Sequence, residues 1–285
     1  MESHMSEKII VAVSAASESH RAVDWAVARA VARKQSIELM SVVGGAIGMI
    51  GEAAVIEAAT SATRELLDAE AARIAASGLT VTTRVEVGDP VGMLAAASES
   101  AALLVIGSDY RGPGQGPARG AHGIRITAAS SCPVVVVPDF DLDDERSGVV
   151  VGVDGSPVSE AAIAFAAAEA DRLGEPLTAV IVWTPIATPR NALMVSPQSY
   201  RDAMEQTARE ALALSLAGLR SSYPDLEIEE AVAEGFPSMV INELAEGARL
   251  TVVGSRGHGA VRRFLLGSIS HEVLQRLASV TAVVR

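Results

Sequence analysis

The chain has 285 residues, of which 49% are hydrophobic and 20% are charged, so its composition favours packed domains and argues against intrinsic disorder. A net charge of −12 argues against a nucleic-acid backbone or an anionic membrane surface as a partner. The single cysteine, Cys132, excludes a disulfide within the chain. Because the sequence shows no leader and no long apolar run, we expect a cytoplasmic protein that does not span a membrane.

The predicted elements occur twice in the same order. An apolar strand opens each half, at 9–13 and 149–153, and each is followed by a small-residue turn and an Ala-rich helix. Two later pairs of apolar segments also match, 103–108 with 250–255 and 134–137 with 281–284. A repeat of this length indicates duplicated domains. We place them at 6–138 and 148–285, with an acidic linker between them.

The second half shows the alternation of strands and helices most clearly. We predict strands over 149–153, 177–183, 227–233, 250–254 and 281–284, and helices over 157–173, 199–219, 237–248 and 268–278. Gly174 is expected to end the first of these helices, and Pro237 to begin the third. Val- and Ile-rich strands that alternate with helices predict a parallel sheet covered on both faces, an α/β fold.

Three residues lie at the predicted carboxyl ends of strands, where open α/β sheets bind their ligands. Asp154 follows the first strand of the second half, Val182 lies at the end of its second, and Gly254 ends its fourth. The chain then continues through Gly257 to Gly267 and the last helix. Glycines allow a phosphate to approach the backbone, and a helix N-terminus favours an anion.

The spacing G-x2-G-x9-G-[S/T], with Val-Gly-Val-Asp-Gly-Ser at 151–156 and Val-Val-Gly-Ser-Arg-Gly-His-Gly at 252–259, resembles the ATP-binding branch of the universal stress protein family. The resemblance covers nearly the whole chain, twice. It implies two tandem Rossmann-like domains, similar to adenine nucleotide α-hydrolases. Each would be an open parallel sheet of five strands in the order 3-2-1-4-5.

The resemblance also implies a ligand, ATP, with a bridging Mg²⁺ as a further expectation. Asp154 would contact the adenine or its neighbourhood, the Val182 backbone would contact the base, and the glycine loop and its serines would bind ribose and phosphates. The residues so assigned are Asp154, Gly155, Ser156, Val182, Gly254, Arg256, Gly257, His258, Gly267, Ser268, Ile269 and Ser270. We expect no catalytic residue and no metal ligand, because no P-loop, nucleophile elbow or metal-ligand cluster is present.

The first half departs from this motif. Ser14 replaces the aspartate, Tyr110 stands at the second glycine, and Ala121 replaces the serine after the third. These changes remove a carboxylate, a close-approach glycine and a hydroxyl. The first domain is therefore expected to be mainly structural, or to bind another ligand.

Simpler interpretations remain open from sequence alone. Asp154 is also a common turn residue, and Ser268 is a common helix N-cap. For the whole protein we favour a nucleotide-binding regulatory protein. The alternatives are a slow ATPase or phosphotransferase and an interaction protein that binds no nucleotide. The resemblance also implies pairing of the two domains within the chain through their last strands, a homodimer, and unidentified protein partners.

Overall fold

The computed structural model describes residues 8–16, 18–44, 52–108, 121–139, 146–185, 197–257 and 266–285. The chain divides into two units, Met1–Phe140 and Asp141–Arg285. Among the helices within the described residues, none has the length and apolar character that crossing a bilayer requires.

The first unit is a parallel sheet in the order β3-β2-β1-β4-β5. Its elements are β1 Lys8–Ala12, α1 Glu18–Arg33, β2 Ser36–Val43, α2 Glu52–Arg73, a 3-10 turn Ala75–Ser77, β3 Val81–Val87, α3 Pro90–Ser98, β4 Leu103–Ser108, α4 Ala121–Ala129 and β5 Val134–Pro138. Ile9, Val11 and Leu104 are fully buried.

The second unit repeats this topology, with the order β8-β7-β6-β9-β10. Its elements are β6 Val149–Val153, α5 Pro157–Leu173, β7 Leu177–Trp183, α6 Pro197–Ser215, α7 Leu219–Ser222, β8 Ile228–Glu234, α8 Pro237–Ala245, β9 Leu250–Gly254, α9 Ser268–Arg276 and β10 Val280–Val284. Counted from the first strand of each unit, both sheets have the order 3-2-1-4-5. The expected fold class is thereby confirmed.

Local signals explain where α5 begins and ends. The Ser156 side chain caps its N-terminus by accepting a hydrogen bond from the Ser159 N–H at 3.2 Å. Pro157 occupies the first turn, and Gly174 ends the helix in the left-handed region with φ 65°. Along its inner face Ala162 and Ala166 are fully buried, so the helix packs closely on the sheet.

Three predicted helices extend beyond their observed C-terminal ends. The helix expected over 199–219 ends at Ser215, and a separate short helix begins at Leu219. Gly218 between them has φ 85°, a left-handed conformation that interrupts an α-helix. The predicted ends of two later helices, 248 and 278, were also too late, since α8 ends at Ala245 and α9 at Arg276.

Candidate functional site

A cleft of about 430 Å³ lies at the carboxyl edge of the second sheet, where β6 and β9 run side by side. Its lining residues are Gly152, Val153, Asp154, Ser159, Val180, Val182, Pro237, Ile241, Val253, Gly254, Arg256, Gly257, Gly267, Ser268, Ile269 and Ser270. Nine of the twelve residues assigned from sequence are therefore in one place. Gly155 and Ser156 do not line the cleft, and His258 lies outside the described residues.

Asp154 has two distinct roles in this geometry. Its Oδ1 accepts a hydrogen bond from the Ser156 N–H at 3.0 Å, which makes the turn between β6 and α5. Its own N–H donates to Ser159 Oγ at 3.2 Å. The other carboxylate oxygen, Oδ2, lies against Gly257, where an added Cβ would overlap it. Asp154 is therefore a turn residue that also presents a carboxylate to the glycine loop.

The three glycines of the loop are constrained differently. A Cβ at Gly254 would lie 3.1 Å from both the Arg256 carbonyl oxygen and Val158 Cγ1, so packing alone favours glycine there. At Gly257 the Asp154 carboxylate leaves no room for a side chain. Gly267 has ordinary extended angles, φ −65° and ψ 156°, and a Cβ there would find its nearest neighbour at 3.4 Å. None of the described residues requires glycine at position 267.

The loop ends at the N-terminus of α9, which faces the cleft. Gly267 is the N-cap residue and, having no side chain, makes no capping hydrogen bond of its own. The alternative that Ser268 is the N-cap is therefore wrong, because the extended backbone of Gly267 makes Ser268 the first helical residue. Uncapped N–H groups in a first turn, at the positive end of the helix dipole, form a site for an anion.

Two backbone hydrogen bonds hold the helix start in place. The Gly267 N–H donates to the Ser255 carbonyl at 2.7 Å, and the Ser255 N–H donates to the Val284 carbonyl at 2.6 Å. The buried Ser270 hydroxyl lies 3.2 Å from the Ser255 carbonyl and 3.0 Å from that of Gly267. Because its proton is directed at these carbonyls, Ser270 presents its backbone N–H to a ligand more readily than its hydroxyl.

Comparison with known proteins identifies the family. The model of the universal stress protein family matches residues 5–138 and again 146–285. The chain belongs to the universal stress protein family. A universal stress protein of Mycolicibacterium smegmatis is 33% identical over 289 residues, which cover 97% of this chain and 96% of that protein. The universal stress protein Rv2623 of Mycobacterium tuberculosis is 30% identical over the same length, with the same coverage.

Solved structures agree on the fold. A universal stress protein from Archaeoglobus fulgidus superposes with a TM-score of 0.71 at 20% identity, over 98% of each chain. A functionally unknown protein from Pseudomonas aeruginosa superposes with a TM-score of 0.67 at 16% identity, over 98% of this chain and 92% of that one.

The cleft of this universal stress protein also has an apolar wall, which was not predicted from the sequence. That wall comes from β7, β9 and α8 and comprises Val180, Val253, Pro237 and Ile241. One signal was present, since Gly152 interrupts a Val-rich strand, and such glycines often mark a close approach. A Cβ at Gly152 would lie 2.8 Å from Ile241 Cδ1, so the glycine makes room for that side chain.

Ser156 caps the N-terminus of α5 and does not line the cleft. It is 4% exposed, and its oxygen accepts from Ser159. We expect Ser156→Ala to lower the free energy of unfolding by about 1 kcal/mol, the usual cost of losing an N-cap, and to have no effect on binding of MgATP, the ligand that the family resemblance implies. Denaturant unfolding and a nucleotide titration measure the two effects. A large loss of affinity without a loss of stability would instead assign Ser156 to the ligand.

The first unit retains the turn but not the carboxylate. Ser14 Oγ accepts from the Ala16 N–H at 3.3 Å, as Asp154 Oδ1 accepts from Ser156. The Ser14 N–H donates to Ser19 Oγ at 2.8 Å. Ser14 thus preserves the turn geometry without the negative charge. Tyr110 lies outside the described residues, and Ala121 is the first residue of α4.

Proposed function

We propose that the second domain binds ATP reversibly, and that this universal stress protein is a nucleotide-responsive regulatory protein without dedicated catalytic machinery. One observation supports this most directly. A single cleft combines an apolar wall, the Asp154 carboxylate, a glycine loop and the N-terminus of α9. An adenine nucleotide has the matching division between an apolar base and an anionic phosphate chain.

The base end of the proposed complex lies among apolar side chains. Val180, Pro237 and Ile241 offer apolar surface to the faces of an adenine ring. Val182, near the end of β7, lines the cleft, and we assign its backbone to the polar edge of the base. The Asp154 carboxylate accepts hydrogen bonds only, which suits the ribose hydroxyls or the exocyclic amine of adenine.

The phosphate end of the proposed complex relies on the backbone. The first-turn N–H groups of Ser268, Ile269 and Ser270 lie at the cleft, and Arg256 is the only lysine or arginine among its described lining residues. Such groups bind phosphates through charge-assisted hydrogen bonds, which are stronger than neutral ones. The overall charge of −12 does not oppose this, since the local donors decide the binding.

Hydrolysis would need a base close to the phosphates. Among the described lining residues Asp154 is the only carboxylate, and we assign it to the ribose or the base and not to the terminal phosphate. The described residues contain no group of three or more His, Cys, Asp or Glu that would hold a metal ion. A bridging Mg²⁺ would accordingly arrive with the nucleotide. Phosphate release that is faster than in a binding-deficient variant would favour the slow ATPase instead.

The proposal is tested by measuring how MgATP changes the stability of the folded protein. ATP that binds only the folded state raises the free energy of unfolding by about 2.7 kcal/mol at a concentration a hundredfold above Kd. We expect MgATP to raise the thermal midpoint in proportion to the logarithm of its concentration, and adenosine or tripolyphosphate alone to do so less. A midpoint unchanged by millimolar MgATP would contradict the proposal and favour an interaction protein that binds no nucleotide.

The proposal includes the remaining expectations from the family resemblance. These are pairing of the last strands of the two domains, homodimerisation, a cytoplasmic location and protein partners that sense the nucleotide. A regulatory ligand has an effect only if a partner distinguishes the bound state from the free one.

A further inference from the structure

Two helices that border the cleft of the second unit are joined to each other by side-chain contacts. α8 contributes Pro237 and Ile241 to the apolar wall of the cleft. α9 contributes its first turn, Ser268, Ile269 and Ser270, to which we assign the phosphates. The contacts between α8 and α9 therefore affect how far the apolar wall lies from the helix N-terminus.

The first of these contacts joins the buried start of α8 to α9. Ser238, the second residue of α8, is 6% exposed, and its hydroxyl donates a hydrogen bond to Glu272 Oε2. Glu272 is the fifth residue of α9, and neither side chain lines the cleft. Hydrogen bonds to a carboxylate are stronger than those between neutral groups. The Ser238–Glu272 hydrogen bond therefore restrains α9 about one turn from its N-terminus.

The second contact lies farther along the same helices. Arg276 donates to Glu246 Oε1 at 2.7 Å, and these side chains are 45% and 57% exposed. Ion pairs as exposed as this one contribute little, because water and salt compete for both charges. Asn242 is buried one turn beyond Ser238, and none of the described residues donates to its amide oxygen. Among these residues, the pair that restrains the start of α9 is thus Ser238 and Glu272.

The first unit has other residue types at the two positions. Val91 of α3 and Arg125 of α4 correspond to Ser238 and Glu272. Valine has no hydroxyl to donate, and the arginine side chain has no acceptor. The serine–glutamate pair thus occurs in the repeat that keeps the complete glycine spacing and not in the repeat that has lost it.

We propose that Ser238 and Glu272 are positioning residues of the second domain, which hold the start of α9 at the distance from α8 that a bound nucleotide requires. This inference rests on the ATP binding proposed above for that domain. Donor and acceptor atoms of a hydrogen bond lie within a narrow range, about 2.7–3.2 Å apart. A small outward shift of α9 would therefore weaken several phosphate contacts at once, although neither residue touches the ligand.

The first experiment measures MgATP affinity by calorimetry in the full chain. We expect Ser238→Ala to weaken binding by about tenfold, the usual effect of losing a hydrogen bond to a charged group. Glu272→Ala should have a similar effect, and Glu272→Gln should restore affinity because its amide oxygen still accepts from the serine. Glu246→Gln is the matched control, since it removes an exposed acid from the other contact and should leave affinity unchanged.

A positioning role is distinguished from a general loss of stability in two ways. Titrations far below the thermal midpoint leave the affinity of a merely less stable variant unaltered. In a double-mutant cycle, Ser238→Ala and Glu272→Ala should also be non-additive in their effects on MgATP affinity, because each removes the same hydrogen bond.

The second experiment needs no ligand. The His271 N–H donates to the Gly267 carbonyl at 3.0 Å and so closes the first turn of α9. Amide hydrogen exchange at His271 reports how often that turn opens. In the nucleotide-free chain we expect exchange to be faster by on the order of tenfold in Ser238→Ala, and unchanged in Glu246→Gln.

The outcomes separate this proposal from the proposed function. Unaltered MgATP affinity in Ser238→Ala, or unaltered exchange at His271, would overturn the positioning role and leave ATP binding by the second domain intact. An equal loss of affinity in Glu246→Gln would mean that Ser238 and Glu272 have no special part. A chain that binds no MgATP before any substitution would overturn the proposed function, and the positioning role with it.

Discussion

Gly267→Ala is expected to weaken MgATP binding by about a hundredfold and to change the free energy of unfolding by no more than about 1 kcal/mol. The backbone of Gly267 is extended, and the nearest described atom to an added Cβ would be 3.4 Å away, so the described residues leave room for alanine. Alanine restricts the unfolded chain, which usually stabilises a protein by about 0.4–1 kcal/mol, but alanine is less favourable than glycine at an N-cap, which offsets that gain. In our proposal the glycine is present because a phosphate approaches the backbone at this point.

The size of the effect follows from the hydrogen bonds at the start of α9. A methyl group at the N-cap would keep the phosphate from the first-turn N–H groups. Hydrogen bonds to a charged group contribute about 1.5–3 kcal/mol each, and losing one or two of them accounts for a hundredfold loss.

Gly247→Ala is the matched control for this variant. An added Cβ at Gly247 meets no described atom within 4 Å, and Gly247 does not line the cleft of the second unit. Calorimetry and denaturant unfolding on both variants separate binding from stability. Equal affinity in Gly267→Ala and the unaltered protein would show that the ligand does not approach this backbone.

Gly257→Ala is expected to destabilise the second domain by about 1–2 kcal/mol, and Asp154→Ser is expected to relieve most of that cost. The added Cβ would overlap Asp154 Oδ2. The carboxylate can move away only by giving up the hydrogen bond that its Oδ1 accepts from the Ser156 N–H. A serine at 154 is shorter and would preserve the turn, as Ser14 does in the first unit.

A double-mutant cycle measures this coupling. The free energies of unfolding of the two single variants and of the double variant should be non-additive by about 1 kcal/mol. Gly247→Ala combined with Asp154→Ser serves as the uncoupled pair and should be additive. Additivity of Gly257→Ala with Asp154→Ser would mean that the loop moves freely away from the carboxylate. The first domain combines Ser14 with Tyr110, a sequence pairing that the coupling explains.

The strands and most helix starts could be predicted because their signals are local. The bounds 149–153, 177–183 and 250–254 match the structure, and Pro157, Gly174 and Pro237 act where turn and cap preferences place them. The order of the strands came from the family resemblance. The end of α6 was missed because a single glycine in an Ala- and Leu-rich segment does not reveal its φ angle.

The polar and glycine residues of the candidate site could be predicted from the sequence, but its apolar wall could not. Asp154, Gly254 and Gly267 are identified by their spacing and by their places after strands. Ile241 and the neighbouring wall depend on how closely α8 approaches β6, and that distance is a property of tertiary packing.

The most direct test of the central claim is a calorimetric titration of nucleotide-free protein with MgATP. The account predicts one ATP site per chain, which is lost in Asp154→Ala, about a hundredfold weaker in Gly267→Ala and unchanged in Ser14→Ala. Two equivalent sites would show that Ser14 and its neighbours still support ATP binding in the first domain. No heat of binding over a range of temperatures would contradict the account, and the cleft of the second domain would then need another ligand.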